Sequence, residues 1–211
     1  MSEKEKKPMW VKYDVAIKLR KELVGGWPKS PETRNALYRA RGLDDLVEEL
    51  PDPATLTEEE RELLKEQVAQ KSWTGFHQNG DGLYMESRYI KAMMKEAANV
   101  LKPIIGIKNY RSKVAERVFV DPHEIPLHKR EADGMIERPI HVMTAKGPRT
   151  SLVIADYIMQ PEISFTLRVL NDDLVTEEHL RTMLEYAQEN GLGKDRSQDF
   201  GKFDLVSLDR V

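Results

Sequence analysis

The 211-residue chain contains no cysteine, which excludes a disulfide framework, a thiolate nucleophile and any cysteine-based zinc site. It also has no long apolar run. No stretch approaches the roughly 18–20 residues that a membrane helix needs, so no membrane partner is expected. The opening Met1-Ser2-Glu3-Lys4-Glu5-Lys6-Lys7 is charged and has no apolar segment behind it, unlike a secretory leader. These absences together lead to an expectation of a cytoplasmic protein. Catalytic signatures are missing as well: there is no phosphate loop, dinucleotide fingerprint, zincin helix or nucleophile elbow.

What is present describes a globular chain, 40% hydrophobic and 33% charged. The net charge of −3 hides a polarity. Residues 43–66 carry ten acids and two bases, whereas residues 88–149 carry thirteen bases and seven acids. This asymmetry allows a basic face set against an acidic lobe, and scattered solvated charge explains it equally well.

Apolar residues alternate at Val11, Tyr13, Val15, Ile17 and Leu19, the period of a half-buried strand. Thr150 to Ile158, Ile163 to Leu170 and Phe203 to Leu208 also read as strands, and the four are expected in one sheet. Ser30-Pro31 opens a helix that Gly42 closes. Thr57-Glu58-Glu59-Glu60 opens a second, acidic helix reaching about Gln70. A third helix runs from Arg88 to about Leu101, and a last one starts at Thr176 and stops at Asn190-Gly191. Residues 103–148 read as short strands and loops. Without its insertions the order is β-α-β-β-α-β, an α+β, ferredoxin-like antiparallel sheet. One domain spanning 1–211 is expected, with a helical acidic insertion over 27–82.

The segment Gly191-Leu192-Gly193-Lys194-Asp195-Arg196-Ser197-Gln198-Asp199-Phe200-Gly201-Lys202-Phe203 lies between a helix end and a strand. Glycines there can aim backbone amides at an anion, and Lys194, Arg196 and Ser197 can add bonds to phosphate oxygens. A helix cap followed by a tight turn accounts for the same residues.

The run from Ile163 to Leu205 resembles the C-terminal end of the RAMP superfamily, the RRM-like subunits of CRISPR effector complexes. Gly191, Gly193, Arg196, Ser197, Phe200 and Gly201 fill the positions of that family's glycine-rich loop. The stretch Met85 to Ala98 is similar to the opening of the first helix in the backbone subunits, with Lys91 and Lys95 at its two basic positions. Gly25-Gly26 matches paired glycines after the first strand. Departures are Glu86-Ser87-Arg88 in place of a small-residue turn, and Ala92 in place of a glycine. Residues 71–77 hold no acid where RNA-cleaving members carry an aspartate. The long acidic insertion points to a divergent, phage-borne relative.

The resemblance implies a non-catalytic, cytoplasmic RNA-binding subunit that polymerises along a guide or other single-stranded RNA. Its partners would be that RNA and other subunits of a complex or copies of itself, with antiviral defense as its setting. The implied backbone contacts are Lys91, Lys95, Lys194 and Arg196, with Arg111, Lys113 and Arg149 as auxiliaries and Tyr84, Tyr89 or Trp73 as stacking surfaces. No cofactor or metal is expected, because Asp121, His123, Glu124 and His128 match no ligand spacing. One alternative is a metal-independent endoribonuclease of the same fold with His77 as base. Another is a viral assembly or regulatory protein without nucleic acid.

Overall fold

The computed structural model describes residues 7–50, 57, 58, 73–144 and 147–211. The acidic helix expected from Thr57 to Gln70 lies almost wholly outside them. In chain order the elements are β1 (Trp10–Leu19), β2 (Glu22–Val24), β3 (Trp27–Pro28), α1 (Pro31–Ala40), β4 (Thr74–Gly75), β5 (His77–Asn79), β6 (Gly82–Glu86) and α2 (Ser87–Val100). They continue with α3 (Lys102–Ile105), α4 (Tyr110–Arg117), β7 (Val118–Asp121), β8 (Glu124–Pro126), β9 (Gly134–Thr144), β10 (Gly147–Met159), β11 (Glu162–Leu170), α5 (Glu177–Asn190) and β12 (Phe203–Arg210). The chain divides into two compact units. The first comprises residues 1–24, 77–131 and 158–211, and the second residues 25–76 and 132–157.

In the first unit a four-stranded sheet runs in the order β12-β1-β11-β7, with every neighbouring pair antiparallel. The alternation read from the sequence sets its faces. Val11, Tyr13, Val15, Ile17 and Leu19 of β1 are buried, as are Ile163, Phe165, Leu167 and Val169 of β11. Against them the helices contribute Ile90, Met93, Met94 and Ala97 of α2 and Leu180, Met183, Leu184 and Ala187 of α5, all buried. Burying each large apolar side chain stabilises the fold by about 1.5–3 kcal/mol. The element order β1-α2-β7-β11-α5-β12 is consistent with a ferredoxin-like plan. A separate small sheet, β5-β6-β8, completes this unit.

Helix termini follow local chemistry. Ser30 Oγ caps α1 by accepting from the Thr33 amide at 3.4 Å. Thr176 caps α5, and the reciprocal partner in its capping box is His179. Helix α2 begins at Ser87, not Arg88, and Glu86 stands at its N-cap without a side-chain bond.

Two expectations need correction. Thr150 to Ile158 does not join the sheet of β1, β11 and β12. It belongs to β10, whose residues up to Tyr157 fall in the second unit, paired with β9 in antiparallel register from Gly147↔Thr144 to Tyr157↔Gly134, with Ala155 beside Thr74 of β4 in parallel. The sequence neighbour won, because only two residues separate the end of β9 from the start of β10, so pairing them costs little loop-closure entropy. Second, the region expected as strands and loops contains helices α3 and α4. Helix α4 buries only Tyr110 and Val114, an i, i+4 pair that gives too narrow a stripe to be read as a helix.

Within the second unit Asp156 is a buried hub. Lys29 Nζ lies 2.5 Å from its Oδ2, and Trp73 Nε1 donates to its Oδ1 at 2.7 Å. The Lys29 ammonium also sits 4.3 Å from the centre of the Trp73 ring. A charge removed from water needs this density of partners.

Candidate functional site

The glycine-rich loop after α5 folds against the middle of α2. Tyr89, Ala92, Met93 and Glu96 from the helix face Gly191, Leu192, Gly193 and Arg196 across a shallow cleft. The two sequence segments that carried the RAMP resemblance are thus adjacent in space. Arg196 Nη1 donates to Glu96 Oε2 at 2.6 Å. Burial is the largest single influence on Glu96 and would raise its pKa, but the bonds from Arg196 and Asn190 and the Arg196 charge together outweigh it and hold the carboxyl below its ordinary value.

Six of the loop's amides donate to backbone carbonyls of the protein itself. Gly191 N–H donates to Ala187 O at 2.8 Å, Leu192 to Gly201 O at 2.9 Å and Lys194 to Val24 O at 3.1 Å. Gln198 donates to Asp195 O at 2.8 Å, Asp199 to Arg196 O at 3.1 Å and Gly201 to Glu22 O at 3.0 Å. Six amides are therefore spent on stitching the loop to itself, to α5 and to β2. The glycines permit close approach: Gly193 has φ +88, and a Cβ there would lie 2.9 Å from Val24 O. This is the cap-and-turn geometry, with Ser197 exposed beyond it.

Lys91 has a structural partner set. Its ammonium donates to Ala115 O at 2.7 Å and Val114 O at 3.3 Å, and also to Val118 O. It closes the C-terminus of α4, where the last carbonyls lack helical partners and attract a cation. Burial, with Lys95 nearby, pushes its pKa down to about 8. Lys95, Arg111 and Lys113 differ from it. Arg111 is exposed, the two lysines are half-buried, and all three lie on α2 or α4, helices that pack together. Arg149 lies on β10 of the second unit, at a position whose side chain is not described.

The stacking candidates are distributed as follows. Tyr89 lines the cleft under the Arg88 guanidinium, 5.3 Å from its ring centre. Tyr84 stacks on His77 at 5.2 Å, and Trp73 is held by Asp156 and Lys29 as described. His77 is nearly buried, with Nε2 3.6 Å from Glu86 Oε1. Burial lowers its pKa more than Glu86 raises it. A neutral imidazole packed between Tyr84 and Glu86 fits a core histidine better than a base open to substrate. Among the described residues no group of three or more His, Asp or Glu is arranged to hold a metal ion. No described helix is long and apolar enough to cross a membrane.

One cluster escaped the sequence reading. Trp10 and Phe119 meet edge to face at 5.4 Å, with the Arg168 guanidinium 5.5 Å and 5.8 Å from the two ring centres. The signal was available in the alternation. With Val11 to Leu19 facing the helices, Trp10 and Lys12 must point the other way.

No protein-family model matches the chain, and no curated protein matches it. Among solved structures it is similar to a chain in the cryo-EM structure of the Type III-B Cmr-beta bound to cognate target RNA. The TM-score is 0.53 at 11% identity, covering 96% of this chain and 61% of that one. The likeness is one of fold, and this chain spans less than two thirds of its neighbour's length.

Proposed function

We propose that the protein is a non-catalytic RNA-binding subunit with a RAMP-like, ferredoxin-type core, working with other subunits or copies of itself along a single-stranded RNA. The observation that carries this reading is the charge of residues 88–117. They contain eight bases and two acids and form the packed helices α2 to α4. Such a surface binds a polyanion by releasing its counterions. The fold likeness to a chain of an RNA-bound complex supports RNA as that polyanion. Lys95, Arg111 and Lys113 are the phosphate contacts in this reading, with Lys194 at the loop as an auxiliary. Lys91 and Arg196 instead hold the frame that presents them. The reading carries with it a cytoplasmic, CRISPR-related setting or a phage-borne derivative of one.

The test is to purify the protein from cells and measure its absorbance ratio at 260 and 280 nm, then titrate it into labelled single-stranded RNA. Co-purifying nucleic acid and saturable binding of intact RNA support the proposal. Scission of the RNA, abolished by His77→Ala, would replace it with the endoribonuclease reading. Failure to bind at all would favour an assembly or regulatory role.

A further inference from the structure

The sheet face opposite the helices carries Trp10, Lys12, Phe119 and Arg168 at one end. Register puts Lys12 opposite Arg168 and Arg168 opposite Phe119, so the three form one row across β1, β11 and β7, with Trp10 two residues away on β1. Phe119 is 39% exposed although it is a large aromatic. The Arg168 Nε is buried without a hydrogen bond, and the nearest carboxylate oxygen, Asp121 Oδ2, is 3.6 Å away. The Phe119 ring is thus partly in water, with the Trp10 edge, the Arg168 guanidinium and the Lys91 ammonium (4.9 Å from its ring centre) around it. Its exposed aromatic surface is a cost that a ligand would relieve.

We infer that this row is a stacking platform for a base of single-stranded RNA, with Lys12 and Arg168 meeting the adjoining phosphate. The inference rests on the RNA-binding reading above and assigns to it a surface distinct from the basic helices. An aromatic ring and a guanidinium plane offer π-faces to any base, and the two cations of the row complement the negative backbone. The carboxylates Asp14 and Asp121 occupy the next row, opposite Thr166. Asp14 is engaged by the Thr166 hydroxyl at 2.7 Å. These acids limit the platform to the Trp10 end of the sheet. Phe119 lies two residues beyond the end of α4, so a strand held by Arg111 and Lys113 reaches the platform over the β7 edge.

The experiment compares wild type, Phe119→Ala and Phe119→Trp for binding to a fluorescein-labelled oligouridine, with circular dichroism to confirm folding. Phe119→Ala should weaken binding by about tenfold or more, the loss expected for one stacked base, and Phe119→Trp should bind at least as tightly as wild type. If wild type binds and both variants match it, the platform is overturned while the RNA-binding reading stands. If wild type binds no RNA, that reading falls and the platform with it. Unchanged RNA affinity, with a wild-type dimer that Phe119→Ala dissociates, would assign the face to a second copy of the chain and overturn the inference.

Discussion

Arg196 Nη1 and Glu96 Oε2 lie 2.6 Å apart although a hundred residues separate them, and the bond ties the loop after α5 to the middle of α2. Both side chains are partly exposed, 33% and 42%, so solvent screens the pair. A double-mutant cycle with Glu96→Ala and Arg196→Ala should give a coupling of about 0.5–1 kcal/mol near neutral pH. The folded pKa of Glu96 is below its reference of 4.5, so this stability is present above that value and is lost as pH falls through the folded one. A coupling that persists in acid would mean the contact is packing and not an ion pair.

The Lys91 ammonium provides the opposite sign. Its pKa is pushed from 10.5 down to about 8, so between those values the unfolded chain binds more protons than the folded one. Stability contributed by this group must therefore rise with pH across that window. Urea midpoints of wild type and Lys91→Met, measured from about 8 to 10.5, should diverge in favour of wild type. If wild type instead loses ground, the carbonyls of Val114, Ala115 and Val118 hold the charge more firmly than burial opposes it.

Gly201 and Gly106 separate backbone strain from steric conflict. Both have positive φ, +75 and +74. A Cβ at Gly106 meets nothing within 4 Å, whereas one at Gly201 runs into the Leu192 carbonyl. Gly106→Ala should cost about 1 kcal/mol, the strain of a left-handed residue. Gly201→Ala should cost clearly more, because the Leu192 and Glu22 bonds must also shift. Equal denaturation midpoints for the two variants would show that the loop yields easily.

Strands were legible where one face is buried by helices. Val11 to Leu19 and Ile163 to Leu170 alternate because every second side chain meets α2 or α5. The same alternation names no partner, which is why Thr150 to Ile158 was expected in the wrong sheet. Helix α4 was missed because two buried residues make a weak stripe. At the candidate site the sequence singled out α2 and the glycine loop separately, and the fold sets them side by side. The sequence could not say where the amides of Gly191, Lys194 and Gly201 would point, since glycine spacing serves a phosphate nest and a backbone crossing equally well. Lys91 shows the same ambiguity. A lysine at a basic position of a helix serves a phosphate or a helix C-terminus, and only the fold placed it beside Val114 and Ala115.

The salt dependence of RNA binding tests the central claim most directly. For a single strand the slope of log K against log salt is about −0.7 per phosphate neutralised. Replacing Lys95, Arg111 and Lys113 together by glutamine should flatten the wild-type slope by roughly 2. These side chains lie away from the core, so the melting temperature should change little. A wild-type slope near zero, or one that the triple variant leaves unaltered, would contradict a role for the α2–α4 helices in holding RNA.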